Sequence, residues 1–194
     1  LSYLTTYNNI HHLDFLAGYE IDDTYNDYLS GEAYNFTTPD KHAISNGMKT
    51  VSVGGSDSRY RLVSYLSRLN YDYKNKYYLG ASFRVDGSSR LHRDNRWGTF
   101  WSVSGAWRTI EEEFMQPVKD WLTDLRIRAS YGVNGTLPSD YFGYMGLSSI
   151  SGGYLEQPGN QMSQIANPNL KWETNYNMNI GLDFGFWDRL NFTI

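Results

Sequence analysis

The stretch Trp172-Glu173-Thr174-Asn175-Tyr176-Asn177-Met178-Asn179-Ile180-Gly181-Leu182-Asp183-Phe184 alternates without a break. A period of two puts successive side chains on opposite sides of a strand. One side reads Trp172, Thr174, Tyr176, Met178, Ile180, Leu182, Phe184, and the other Glu173, Asn175, Asn177, Asn179, Gly181, Asp183. Tyr77 to Asp86 repeats the pattern, with Tyr77, Leu79, Ala81, Phe83 and Val85 against Tyr78, Gly80, Ser82, Arg84 and Asp86. So does Leu125 to Asn134, with Leu125, Ile127, Ala129, Tyr131 and Val133 against Arg126, Arg128, Ser130, Gly132 and Asn134. The polar sides carry charges and amides and want water. The apolar sides are too rich for one face of a soluble sheet, and their aromatics lie towards the ends, as on strands that meet lipid.

Composition supports a half-wet, half-greasy sheet. Of 194 residues, 16% are aromatic and 20% charged, with 17 Tyr and 6 Trp. Tyr and Trp join an apolar body to a polar tip, which suits a membrane interface. The mean hydropathy of -0.57 argues against a helical membrane protein, and no apolar run reaches the roughly 18 residues a spanning helix needs. Barrel strands escape this test because only alternate residues are apolar. The chain has no cysteine, which excludes disulfides and thiolate-held metals. A net charge of -4 and a pI near 5.5 argue against nucleic acid as a partner.

Eight strands can be placed: Ser2–Tyr7, His12–Ile21, Arg59–Tyr73, Tyr77–Asp86, Thr99–Arg108, Leu125–Asn134, Trp172–Phe184, and one starting near Arg189. Three connections are tight, at 8–11, 74–76 and 185–188, and two are long, at 22–58 and 135–171, with 87–98 of medium length. In an up-and-down sheet alternate connections share a side, so the tight turns fall together and the long loops fall opposite. That is the outer-membrane barrel arrangement of short periplasmic turns and long external loops. The connection 109–124 falls on the short side and reads as a short periplasmic helix. Thr109 and Glu112 make a capping-box pattern, Ile110, Phe114, Val118 and Trp121 have helical spacing, and Pro117 would end or kink it. The residues expected to face lipid are Leu79, Phe83, Trp101, Val103, Trp107, Ile127, Tyr131, Met178, Ile180 and Leu182. Arg68, Arg84, Arg108, Arg126 and Arg128 point the other way, which suits a wide, wet lumen better than a closed eight-strand barrel. The final residues still alternate, so we expect a piece of a longer protein.

Several motifs resemble one family. Arg84-Val85-Asp86-Gly87-Ser88-Ser89-Arg90, then Asn95-Arg96-Trp97-Gly98, then Ser102-Val103-Ser104-Gly105-Ala106-Trp107-Arg108 are similar to the SusC/RagA family of TonB-dependent outer-membrane transporters. Arg128 to Gly135, Asn167 to Thr174, Asn179 to Phe184 and, more loosely, His12 to Glu20 fall in the same family order. Phe100-Trp101 departs from the usual Phe-Pro. The resemblance implies that residues 1–194 are part of a barrel of about 22 strands with a plugged lumen, the plug and the other strands lying elsewhere. It further implies import of glycans or peptides across the bacterial outer membrane, energy delivered by the TonB complex through the missing N-terminal part, and a SusD-like surface lipoprotein as lid.

The chemistry-bearing residues are read against simpler roles. Asp86-Gly87 is first a turn, in which Asp accepts from following amides, and second a polar contact for substrate or lid together with Arg84 and Arg90. Trp97, Tyr141, Tyr144 and Tyr154 either pack loops and the aromatic girdle or stack on substrate. His11, His12, His42 and His92 lack metal-ligand spacing, and Glu111 to Glu113 read as an acidic first helical turn. Asp86 and Asp183 are not placed together as a hydrolytic pair, so no catalytic residue, metal or cofactor is expected and the chain is read as no enzyme. The competing fold is a secreted, soluble β-sandwich that binds carbohydrate, in which the apolar side would meet a second sheet.

Overall fold

The computed structural model describes residues 1–38, 40, 43–154 and 157–194, with side chains at 50, 51, 151–154, 157 and 158 left outside the description. The strands are β1 (Ser2–Tyr7), β2 (His11–Phe36), β3 (Gly47–Tyr73), β4 (Tyr77–Ser88), β5 (Trp97–Arg108), β6 (Leu122–Thr136), β7 (Leu147–Tyr154), β8 (Gln157–Gln164), β9 (Glu173–Phe186) and β10 (Leu190–Thr193). Eight of them form one sheet in the order β1-β2-β3-β4-β5-β6-β9-β10, every pair antiparallel, while β7 and β8 pair only with each other. The sheet is curved and open. Its polar side bounds a concavity of about 1050 Å³, lined by Asp14, Asn70, Gly80, Ser104, Ser130 and Asn179 among others.

Register turns the alternation of each strand into bands around the sheet. Tyr3, Phe15, Leu69, Ala81, Val103, Tyr131 and Met178 stand opposite one another across seven strands. One residue along, Asp14, Asn70, Gly80, Ser104, Ser130 and Asn179 form the matching polar row. Aromatics close the apolar band at both rims. Tyr73, Tyr77 and Trp107 stack in sequence at one, and Tyr19, Tyr65 and Trp97 at the other. Between them lie Leu79, Val103 and Ile180, 60%, 49% and 69% exposed. No second sheet covers this side among the described residues, so the sandwich alternative lacks its second layer.

The tight turns have a common geometry. Asn8-Asn9, Lys74-Asn75 and Trp187-Asp188 all take positive φ, between 52° and 56°. Each turn closes with a hydrogen bond from the third turn residue back to the strand end: Ile10 N to Tyr7 O, Lys76 N to Tyr73 O, Arg189 N to Phe186 O. Successive left-handed residues give the primed twist that matches antiparallel strands. All three turns lie on one side of the sheet, as the connection lengths require.

Three expectations are corrected. The loop expected at 22–58 is mostly strand: β2 and β3 stay paired from His11↔Tyr73 to Phe36↔Gly47, with a register shift between Glu32 and Ala33. Past the apolar band both sides of this arm are wet, so alternation carries no signal there. The loop expected at 135–171 contains the β7–β8 hairpin. The expected helix at 109–124 is two 3₁₀ turns, Thr109–Glu111 and Glu113–Val118, separated by an extended Glu112. The capping box does not form. Thr109 Oγ1 is buried without a partner, and the Glu112 carboxylate accepts from Tyr77 and Trp107 instead.

The inner wall leaves some backbone no room for a side chain. A Cβ on Gly135 would lie 2.0 Å from the Phe100 ring, whereas one on Gly105 would meet nothing closer than 3.8 Å. Gly135→Ala should therefore destabilise the barrel by about 1–3 kcal/mol, the usual cost of overpacking. Gly105→Ala should stay within about 0.5 kcal/mol. Urea unfolding of the intact protein measures both, and equal costs at the two sites would refute the role given to Phe100.

Candidate functional site at the external mouth

The upper inner wall is built where β4 ends and β5 begins, beside the middle of β3. Arg84 and Asp86 are two residues apart on β4 and so share the polar side. Arg84 Nε donates to both Asp86 carboxylate oxygens, at 2.7 and 2.9 Å, and Nη2 donates to Ser64 Oγ at 2.9 Å. Glu20 of β2 lies 3.6 Å from the same Nη2. Ser64 is 1% and Asp86 7% exposed. The result is an ordered, charged wall patch whose solvent-exposed members are Glu20 and Arg84.

The loop after β4 folds onto this wall. Ser88 is fully buried; its amide donates to Arg96 O and its hydroxyl accepts from the Arg90 amide. Ser89 and Arg61 exchange bonds, Ser89 N to Arg61 O at 3.0 Å and Arg61 N to Ser89 Oγ at 2.9 Å. Asp86-Gly87 thus continues the strand before the chain turns. Arg90 lies between two rings, 4.0 Å from the Tyr60 centroid and 4.3 Å from Tyr141. Its Nη1 donates to Pro138 O at 3.5 Å. Tyr141 also accepts from Asn26 Nδ2, so one tyrosine ties the β6–β7 loop to β2, β3 and the β4–β5 loop.

The other sequence candidates separate. Tyr144 packs edge-on against His92. Trp97 faces the apolar side, stacked near Tyr65 and covering Gly87; it belongs to the upper aromatic rim. The side chain of Tyr154 lies outside the described residues, as does His42. Trp172, expected on the apolar side, precedes β9 and turns inward, donating to Arg96 O at 2.9 Å and meeting Phe100 edge-on. Ser64, Tyr60 and Glu20 complete the patch. They were not singled out in the sequence because no local pattern links them to β4; only the pairings Ser64↔Asp86 and Glu20↔Ser64 do.

Two of the charged clusters outside the apolar band hold a carboxyl below its usual range. On the outer arm, hydrogen bonds from Arg59 and then Arg61 hold the Asp23 carboxyl well below the usual carboxylate range. At the opposite rim, Glu112 is lowered first by the Tyr77 hydroxyl, then by Trp107, against burial, with Lys76 helping. Glu112 Oε1 accepts from Tyr77 Oη at 2.6 Å and Trp107 Nε1 at 3.2 Å, and Lys76 Nζ lies 3.4 Å from Oε2. This carboxylate pins the 3₁₀ segment to the lower aromatic rim.

Comparison with known proteins agrees with this geometry. The family model described as "TonB dependent receptor-like, beta-barrel" matches residues 2–194. The TonB-dependent receptor SusC of Bacteroides thetaiotaomicron is 36% identical over 168 residues, 83% of this chain and 16% of that protein. TonB-dependent receptor P26 of Formosa agariphila is 31% identical over 191 residues, 94% of this chain and 19% of that protein. The solved RagAB peptide transporter superposes with a TM-score of 0.84 at 28% identity, covering 96% of this chain and 21% of that one. The chain therefore spans about a fifth of the length of the proteins it matches.

Two outcomes follow from these contacts. Arg90→Ala should free the 137–146 loop from Tyr60, raising its rate of limited proteolysis, whereas Arg90→Lys should keep part of the ring contact; unchanged cleavage in Arg90→Ala would refute the clamp. Glu112 is lowered on folding, so its contribution is complete above the ordinary glutamate value and is lost as pH falls through the lowered one. The Trp107 indole N–H resonance should therefore stay in its bonded position below about pH 4.3, and the acid transition should vanish in Glu112→Gln.

Proposed function

The chain belongs to the TonB-dependent receptor β-barrel family, whose members are outer-membrane proteins, and on that footing we propose that it forms part of the wall of an energy-coupled nutrient importer. The carrying observation is the single curved sheet with an uncovered apolar side and a concave polar side. A wall between hydrocarbon and a wet lumen needs both. The open sheet edges at β1 and β10 leave room for further strands and for a plug inside. Leu79, Phe83, Trp101, Val103, Trp107, Ile127, Tyr131, Met178, Ile180 and Leu182 then meet lipid.

The cargo we infer is a glycan or a peptide, the second supported by the RagAB peptide transporter. Arg84 with Asp86 offers polar contact at the mouth, and Tyr141 and Tyr144 offer rings, with Arg90 holding the loop that carries them. A SusD-like lipoprotein would close the mouth from outside, and the TonB complex would act through a part of the protein beyond this chain. Binding, plug movement and release involve no covalent change in the cargo, so no catalytic role is assigned.

Uptake of fluorescently labelled oligosaccharides and oligopeptides by cells carrying the intact gene tests the reading. Accumulation should collapse when TonB is deleted or the proton-motive force is discharged. Uptake of either cargo that survives both treatments would remove energy coupling from the account.

A further inference from the structure

The apolar side ends at a definite level. Ile21, Val63, Gly87 and Trp97 stand opposite one another as its last row. On the same side, one pairing step further out, Asp23 stands opposite Arg61, and then Tyr25 opposite Arg59. Two residues along a strand advance about 7 Å, or roughly 5 Å in height on a strand tilted near 45°. The headgroup layer beyond the hydrocarbon is about 5–7 Å thick on each side. Asp23 and Arg61 therefore stand at the height of lipid phosphates and face outward, and Arg59, one step higher, brings its guanidinium to the same level by bonding Asp23.

The cluster is built rather than scattered. Asp23 accepts from Arg59 Nε at 2.8 Å and Nη2 at 2.6 Å, and from Arg61 Nε at 3.3 Å and Nη2 at 2.7 Å. One carboxylate thus aligns two guanidinium groups that would otherwise repel. Each guanidinium carries five N–H donors, and neither Nη1 has a partner among the described residues. The Arg59 and Arg61 side chains are 59% and 53% exposed. The cluster keeps one net positive charge, with Asp23 held ionised by the two arginines. One step beyond Arg59, Asp27 stands opposite Asp57, and this acidic pair bounds the positive level from above.

We propose that Arg59 and Arg61, aligned by Asp23, bind the phosphate of an anionic lipid headgroup in the outer leaflet. Guanidinium groups match phosphate oxygens in bidentate fashion, and the apolar row of Ile21, Val63 and Trp97 directly below receives the acyl chains. The proposal rests on the barrel standing in the outer membrane, as the import reading does.

The test uses the full-length protein extracted in mild detergent, with native mass spectrometry counting retained lipid. Wild type should keep phosphorylated lipid A about tenfold better than the dephosphorylated form. Arg59→Gln/Arg61→Gln should lose that preference while keeping heat-modifiable barrel migration and cargo uptake. If the double variant does not insert, single Arg59→Gln in an inserted barrel should show a partial loss. Undiminished preference in an inserted variant overturns the site. Saturation by inorganic phosphate at the same concentration as the lipid also overturns it, by placing a soluble anion there. A protein that never reaches the outer-membrane fraction defeats the import reading; one that inserts without phosphate preference defeats this inference alone.

Discussion

A backbone crossing hydrocarbon has no water to bond, so each N–H and C=O in the span must find a partner in the chain. That demand explains why neighbouring strands here pair without interruption through the apolar band. From β2 to β6 every residue of the band has a cross-strand partner, and the register shifts in the sheet occur outside it, at Glu32/Ala33 and Leu122/Asp124. Continuous register then forces the alternation of each strand to align with that of its neighbours. A slip of one residue would carry Val103 to the wet side and Ser104 to the greasy one. The bands of lipid-compatible and water-compatible side chains thus follow from backbone hydrogen bonding, and the inner polar wall is the second product of the same ladder.

Where that demand is strongest, the sequence was most readable. Tyr77–Asp86, Thr99–Arg108, Leu125–Asn134 and the β9 stretch were located within a few residues, because only there do the two sides of a strand meet solvents of opposite polarity. Outside the band the contrast disappears. Tyr25, Tyr28 and Leu29 are all well exposed on an arm wet on both sides, and nothing in the order of its residues distinguishes a paired strand from a loop. The 109–118 segment misled for another reason. Its helical spacing is genuine, but Glu112 gains more partners in the aromatic rim than in a capping box, and Pro117 removes a donor that a longer helix needs. The mouth patch was half legible: Arg84, Asp86 and Arg90 lie in one motif, while Ser64, Glu20 and Tyr60 arrive by strand pairing and by loop packing.

The two rims use their charges differently. At the turn side, the Glu112 carboxylate is held by direct hydrogen bonds from Tyr77, Trp107 and Lys76. Those bonds fasten the 109–118 segment to the aromatic rim. At the loop side, Arg90 joins segments far apart in sequence, Tyr60 and Tyr141, through ring faces. Cation–ring contacts are less directional than hydrogen bonds to a carboxylate, so the β6–β7 loop is tied less rigidly than the 3₁₀ segment. The importer proposed above, which would admit a bulky solute at this mouth, is served by this asymmetry. The backbone ladder cannot supply it, since the ladder is uniform from rim to rim; it has to come from side chains placed just beyond the band, where pairing no longer dictates which residue stands where.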